Sequence, residues 1–95
     1  MKSRKAKDLK KTLRKKGFEI NPKQQHHESY FLIIDGKKSH IHTYFSHSLS
    51  DYGSSLMGKM KKQLKFVESS LAEKFFDCPM SKEEYLSMLK NNGEI

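Results

Sequence analysis

The chain has few of the residues on which several protein classes depend. It contains one cysteine, Cys78, and no tryptophan among its 95 residues. A single thiol excludes an internal disulfide and a cysteine-rich zinc site. The five glycines form no phosphate-binding loop pattern, and no apolar run approaches the roughly 20 residues that span a bilayer. We therefore expect a cytoplasmic protein with no signal peptide and no membrane partner.

The overall composition predicts one small folded domain. Hydrophobic residues make up 35% of the chain and charged residues 32%, with six Phe and four Tyr. These aromatics are too many for a disordered chain, and the length is too short for two separate cores.

Positive charge is concentrated at the N-terminus. Residues 1–16 carry nine Lys or Arg against one acid, whereas residues 66–95 carry three Lys against six acids, within a net charge of +8. Such a distribution attracts polyanions and indicates RNA or DNA as the first candidate partner. Charge alone also allows a solvated basic helix, or one that contacts acidic protein or lipid headgroups.

Hydrophobic periodicity predicts an α-β-β-β-α order with a helical tail. The expected class is α+β: a two-layer sandwich with helices on one side and a C-terminal helical hairpin. The predicted elements are a helix over 4–16 capped by Ser3, strands over 18–20, 27–34 and 37–45, a helix over 54–76 that is unbroken or bent near Ser69-Ser70, and a helix over 82–91 with a Ser81–Glu84 capping box. The long helix carries an apolar stripe of Leu56, Met60, Leu64, Val67, Leu71 and Phe75.

The segment from Gln24 to Phe45 predicts a hairpin rich in histidine. Asp35-Gly36 is typical of a type I′ turn, and regular stepping from that turn pairs Phe31 with His40, Tyr30 with Ile41, Ser29 with His42 and His27 with Tyr44. The core face is then Tyr30, Leu32, Ile34, Ile41, Thr43 and Phe45. The opposite face is His27, Ser29, Phe31, Ile33, Lys38, His40, His42 and Tyr44, which places three imidazoles together.

Several stretches resemble one family. They are the basic helix ending "KKTLRKKGF", then "QHHESYF", "DGKK" and "SHSLSDYGSSLMGKMKKQL". Over about residues 3–66 the chain resembles the HicA toxins of type II toxin–antitoxin systems. The resemblance implies a double-stranded-RNA-binding-domain-like fold over residues 1–66, a helical extension over 67–95 packed on the same domain, and a cognate antitoxin partner. It also implies binding or cleavage of mRNA.

HicA toxins use one His on the second strand, with an aromatic residue three positions later, and His27 with Tyr30 has that spacing. His26 is the competing assignment, and the face argument favours His27. His47 resembles the His of the family's Pro-His-Pro segment. The chain departs from the family where Gln25-His26 replaces Gly-Ser and where serines flank His47.

The implied chemistry is metal-independent RNA cleavage through the 2′-hydroxyl, with no cofactor. Imidazole titrates near pH 6.5, so His27 can act as the general base. His42 and Tyr44 are its predicted neighbours as acid, orienting group or phosphate contact. The predicted RNA contacts are Lys10, Lys11, Arg14, Lys15, Lys38, His40 and His47.

Two alternatives remain open from the sequence. The chain can be a non-catalytic RNA-binding module or a degenerate HicA relative that grips phosphates without cutting. His27, His40 and His42 can instead be metal ligands, although that face lacks the carboxylate that often completes such a set. A further hypothesis is that the acidic tail docks on the first helix and competes with RNA.

Overall fold

The structure is a computed structural model that describes residues 1–21, 27–46, 48–77 and 79–95, with only the backbone of His27. The elements are, in chain order, β1 (Arg4–Lys5), α1 (Ala6–Lys15), β2 (Phe18–Asn21), β3 (His27–Ile34), β4 (Lys37–Ser46), β5 (Asp51–Tyr52), α2 (Ser54–Gln63), α3 (Ser69–Phe76) and α4 (Lys82–Asn91). Strands β2, β3 and β4 form an antiparallel sheet in that order, and β1 pairs with β5 separately. The predicted α+β class is confirmed.

The described helices pack on one face of the three-stranded sheet. That face is the predicted core face: Tyr30, Leu32, Ile41, Thr43 and Phe45 are fully buried, and Ile34 packs against them at the edge. Each helix adds side chains to the same hydrophobic cluster, namely Leu9 and Leu13 from α1, Met57 and Met60 from α2, Phe75 from α3, and Tyr85 and Leu89 from α4. No helix among the described residues combines the length and the apolarity needed to cross a bilayer.

Helix α1 begins later than predicted. Arg4 and Lys5 are extended and pair with Tyr52 and Asp51, and the N–H of Ala6 donates to the carbonyl of Ser50 at 2.8 Å. The N-cap residue is therefore Lys5, with no side-chain cap, and the predicted Ser3 cap was wrong. A partner strand distant in the sequence determines this boundary, so the local pattern could not show it.

The apolar stripe is divided between α2 and α3, so the unbroken helix was wrong. Lys65 has a φ of +70°, and the N–H of Phe66 donates to the carbonyl of Lys61 at 3.0 Å. This 6→1 bond and the left-handed residue form a Schellman-type end to α2. Val67, predicted to lie in the stripe, is 79% exposed in the connection. Glycine usually marks such an end, and a lysine in its place conceals it.

The last helix forms as predicted, over Lys82–Asn91. The N–H of Glu84 donates to Ser81 Oγ at 3.1 Å, and the N–H of Ser81 donates to Glu84 Oε1 at 3.0 Å, which completes the capping box. These two bonds from Ser81 lower the pKa of Glu84.

Residues 67–95 contribute to the same core as residues 1–66. The fully buried ring of Tyr85 packs against both Phe66 and Phe75, at centroid distances of 5.4 and 4.8 Å, and its hydroxyl donates to the carbonyl of Leu64 at 2.8 Å. The buried ammonium of Lys16 donates to the carbonyl of Met80. The tail therefore docks beside the end of α1, as hypothesised; its competition with RNA remains a prediction.

Gly17 holds a conformation that a side chain would strain. Its φ is +94°, and a Cβ built there lies 2.8 Å from Lys82 Cε. We expect Gly17→Ala to lower the free energy of unfolding by about 1–2 kcal/mol because L residues disfavour this region. Gly58→Ala is the matched control, since it lies inside α2 with nothing within 4 Å and should stabilise the helix by about 0.5–1 kcal/mol. Equal effects of the two substitutions in urea titrations would contradict this account.

Tyr85 predicts a loss of stability at alkaline pH. Burial raises the pKa of Tyr85 well above its usual 10.0. The unfolded chain releases this proton near pH 10, whereas the folded chain retains it. The contribution of Tyr85 should therefore be constant below pH 10 and fall by about 1.4 kcal/mol per pH unit above it. Denaturant titrations of the parent and Tyr85→Phe check this, because the variant should lose that part of the slope.

Candidate functional site

The face of β2, β3 and β4 turned away from the helices is called the outer face here. It carries Glu19, Asn21, Ser29, Phe31, Ile33, Lys38, His40, His42 and Tyr44. Lys38, His40, His42 and Tyr44 are exposed, while Phe31 and Ile33 are half-buried. None of the described helices packs on this side. The predicted division of the hairpin into two faces is therefore confirmed for the described side chains.

The predicted turn is confirmed, and the strand register beyond it is corrected. Asp35 and Gly36 have φ values of 52° and 77°, as a type I′ turn requires. The pairs Ile34–Lys37 and Ile33–Lys38 follow, but Phe31 then pairs with His42 instead of His40. The predicted pairs beyond the turn were wrong: Tyr30 pairs with Thr43, Ser29 with Tyr44, and His27 with Ser46.

The shift comes from a bulge in β4. Ser39, His40 and Ile41 lie opposite Leu32 alone, so β4 contains two extra residues. Side chains in and next to the bulge bond its backbone: Ser39 Oγ accepts from the N–H of Ile41 at 3.2 Å, and His42 Nδ1 lies 3.1 Å from the carbonyl oxygen of His40. An even number of extra residues preserves the alternation of faces, so His40 and His42 stay on the outer face.

The bulge separates two of the predicted catalytic residues. With His42 opposite Phe31, His27 lies four residues farther along β3, or about 13 Å at 3.3 Å per residue. In the predicted register His27 was the diagonal neighbour of His42. Tyr44 pairs with Ser29 and is instead the residue diagonal to His27, at about 7–8 Å. The expected cluster of three imidazoles is therefore not formed by the strand pairing.

The centre of the outer face is a ring stack of Phe31 and His42. Their centroids lie 5.0 Å apart with an interplanar angle of 19°, and Lys38 Nζ lies 4.9 Å from the Phe31 centroid. A carbonyl oxygen only accepts, so His42 Nδ1 must donate to His40. In the neutral imidazole, Nε2 is then the atom that can accept a proton or a hydrogen bond.

The basic residues of α1 lie on the other side of the sheet. Lys10 is ion-paired with Glu28 and lies 5.4 Å from the Phe45 centroid, while Arg14 Nη2 lies 3.4 Å from Tyr30 Oη. Phe45 and Tyr30 belong to the helix-covered face. Lys11 and Lys15 are exposed on the same helix. The sheet therefore divides the predicted RNA contacts. Of those that the structure describes, only Lys38 and His40 share the outer face with His42.

Tyr44 borders an apolar pocket at the edge of the sheet. It is 46% exposed, and the pocket, of about 200 Å³, reaches the side of α2. Its lining is Tyr44, Ser46, Leu49, Tyr52, Leu56, Lys59, Met60 and Gln63. A ring in this position can pack or stack on a molecule at the edge of the sheet.

The remaining predicted residues lie outside the described part. His26 and His47 are among the residues that the structure does not describe, and the side chain of His27 is not described either. Among the described side chains, no three His, Cys, Asp or Glu residues are grouped as metal ligands. The structure therefore gives the position of His27 on β3 but not the contacts of its side chain.

Phe31 is the residue that sequence reasoning placed on the correct face without assigning it a role. Its stack with His42 depends on the bulge, because a regular register would place His40 opposite it. Two features of β4 do signal the bulge, because Ser39 and His42 can both bond the nearby backbone.

Comparison of the chain with family models, with curated proteins and with solved structures finds no match. The HicA resemblance therefore depends on its motif residues alone.

Proposed function

We propose that the chain is an RNA-binding endoribonuclease of HicA-toxin type, an mRNA interferase of a type II toxin–antitoxin system. The observation that carries this proposal is the open outer face, which presents Lys38, His40 and His42 in a chain of net charge +8. The order α1-β2-β3-β4-α2, with both helices on one face, supports a double-stranded-RNA-binding-domain-like fold for residues 1–66. A cognate antitoxin that covers the outer face is the expected protein partner.

The proposed reaction is cleavage of RNA through its own 2′-hydroxyl. His27, assigned by the family spacing, takes the 2′-hydroxyl proton while the 2′-oxygen attacks the adjacent phosphorus. The bond from phosphorus to the 5′-oxygen breaks, and the leaving oxygen takes a proton from an acid. The products are a 2′,3′-cyclic phosphate and a 5′-hydroxyl, and His27 loses its added proton to water. Such general acid–base catalysis contributes roughly 10²–10⁴-fold.

The strand register suggests different roles for Tyr44 and His42. Tyr44 is diagonal to His27 across the β3–β4 pair and is within reach of the same phosphate. His42 lies about four residues away along the face, where it stacks on Phe31. We therefore assign His42 to RNA contact, together with Lys38, rather than to the proton transfer at His27.

The proposal is tested by incubating the full chain with mRNA in EDTA. We expect internal cuts whose fragments end in a 2′,3′-cyclic phosphate. This end blocks ligation until acid opens the cyclic diester and a phosphatase removes the resulting monoester. RNA that is bound but uncut would reject the endoribonuclease. RNA that is neither bound nor cut would reject the whole assignment.

The second candidate is a non-catalytic RNA-binding module. The observation that favours it is the separation of His42 from His27, together with Gln25 and His26 in place of the family's Gly-Ser. Such a module retains the open face and the charge but lacks a paired acid and base. Its steep dependence of affinity on salt would equal that of the enzyme, so cleavage alone distinguishes the two.

A further inference from the structure

The outer face carries features of a surface that binds unpaired bases. From the stack of Phe31 and His42, we infer that it holds single-stranded RNA by base stacking, whereas the basic face of α1 does not make this contact. The identity of the polymer rests on the proposed function. The inference adds where the RNA lies and that its bases are unpaired.

Ring geometry is the first argument. Phe31 and His42 stack across neighbouring strands at 5.0 Å, and the bond from His42 Nδ1 to the carbonyl of His40 holds the imidazole in place. Every base has a π-face, so such rings bind single strands with little sequence preference. Bases paired in a duplex have no free face to offer. The ring stack therefore favours unpaired RNA.

Spacing along β4 is the second argument. His42 and Tyr44 lie beyond the bulge on the outer face, at an interval of about 6.6–6.8 Å. A stacked base occupies about 3.4 Å, so this interval accommodates one base between the two side chains. Both residues are exposed, as is His40 within the bulge. The strand thus provides neighbouring positions for consecutive bases.

Charge is the third argument. Lys38 provides a cation 4.9 Å from the Phe31 ring, and the chain as a whole carries +8, which complements a polyanion. Glu19 pairs with Phe31 from β2 and is the acid on this face among the described residues. The mixture of rings, Lys38 and imidazoles fits nucleotides, whose bases stack on rings and whose phosphates attract cations.

The absence of tryptophan allows a direct optical test. Phe31→Trp introduces the sole tryptophan on the outer face, and Val67→Trp introduces one at a site 79% exposed beside the helices. The probe is a 2′-O-methyl oligouridylate, which cannot be cut through a 2′-hydroxyl. We expect this probe to quench the Phe31→Trp fluorescence and leave that of Val67→Trp unchanged. Equal responses of the two variants would overturn the inference.

Affinity provides the second measurement. Phe31→Leu keeps an apolar side chain but removes the ring, and we expect its single-strand affinity to fall about 10-fold or more. Lys11→Gln, on the opposite layer, should lower the single-strand affinity by a smaller factor. The parent should bind a hairpin duplex more weakly than the single strand. Glu19→Gln should bind more tightly than its charge-matched control Glu83→Gln on α4. Circular dichroism of each variant shows that the fold is retained.

The outcomes separate this inference from the proposed function. A parent that binds neither probe rejects both. If the parent and Phe31→Leu bind RNA with equal affinity, the stacking surface alone is rejected, and the outer face is left to a protein partner. A preference for the duplex likewise rejects the inference while the ribonuclease assignment stands.

Discussion

Replacing His27 by alanine is expected to lower the rate of RNA cleavage by about 10²–10⁴-fold and to leave RNA affinity unchanged. The expected loss is that of a general base in the transition state. Binding persists because the ring stack lies about 13 Å away along the strands. Single-turnover cleavage in EDTA, with affinity measured on a 2′-O-methyl RNA, checks both halves of this result.

His42→Ala and His26→Ala are the matched controls for that experiment. His42→Ala should weaken binding and reduce cleavage only in proportion, so that saturating protein restores the parent rate. His26→Ala should change neither quantity. A large loss of saturated rate in His26→Ala, with His27→Ala active, would transfer the base to the neighbouring residue. Full activity in both single variants would remove both histidines from the reaction.

Tyr85→Ala is expected to cost about 3–5 kcal/mol of the free energy of unfolding. Domains of this length have about 5–14 kcal/mol in total, so the variant should lose a large part of its stability. The ring is fully buried against Phe66 and Phe75, and its hydroxyl satisfies the carbonyl of Leu64. Thermal unfolding followed by circular dichroism should show a midpoint lowered by about 12 °C or more.

Tyr85→Phe is the control that separates packing from hydrogen bonding. It keeps the ring and leaves the Leu64 carbonyl without its donor, at an expected cost of about 1–2 kcal/mol. Equal losses in the two variants would contradict the account of the core.

The ring of Phe18 also contacts the rings of Phe75 and Tyr85, at centroid distances of 6.4 and 6.1 Å. Removal of residues 67–95 is therefore expected to unfold the rest, so the RNA-competing role hypothesised for the tail needs point substitutions.

One site for such a substitution is Asp77, at the end of α3. Asp77 contacts Arg4 at 3.0 Å and Lys2 at 3.7 Å, so the tail already neutralises part of the basic segment. These contacts were invisible in the sequence because the residues are far apart along the chain. The same limitation explains the late start of α1, where β5 provides a strand partner for Arg4 and Lys5.

The hairpin shows how far local patterns extend. Asp35-Gly36 predicted the turn because few dipeptides adopt positive φ at both positions, and alternation predicted the buried face because side chains alternate along a strand. The pairs beyond Ile33 were wrong because the bulge at Ser39–Ile41 adds two residues to one strand. Because the bulge adds an even number of residues, it changes which residues are opposite each other without changing the alternation, so the burial pattern does not reveal it.

In the candidate site, too, local patterns predicted the exposed face of the strand, and tertiary packing decided which residues meet there. The sequence identified Lys38, His40, His42 and Tyr44 as residues of one exposed face, but it joined them with the lysines of α1. In the structure α1 packs on the opposite face, so the Lys10 ammonium meets Glu28 and Phe45 instead of the imidazoles. Phe31 acquired a role only through its contacts with His42 and Lys38.

The sequence by itself determined the α+β class, most strand and helix positions, the buried face of the hairpin and the concentration of positive charge. These properties depend on residue type and on spacing within one segment. The tertiary structure decided the register of β3 against β4, the end of α2, the start of α1 and the side of the sheet on which each cation lies. They depend on pairing and packing between distant segments, whose free energy is not contained in any local pattern.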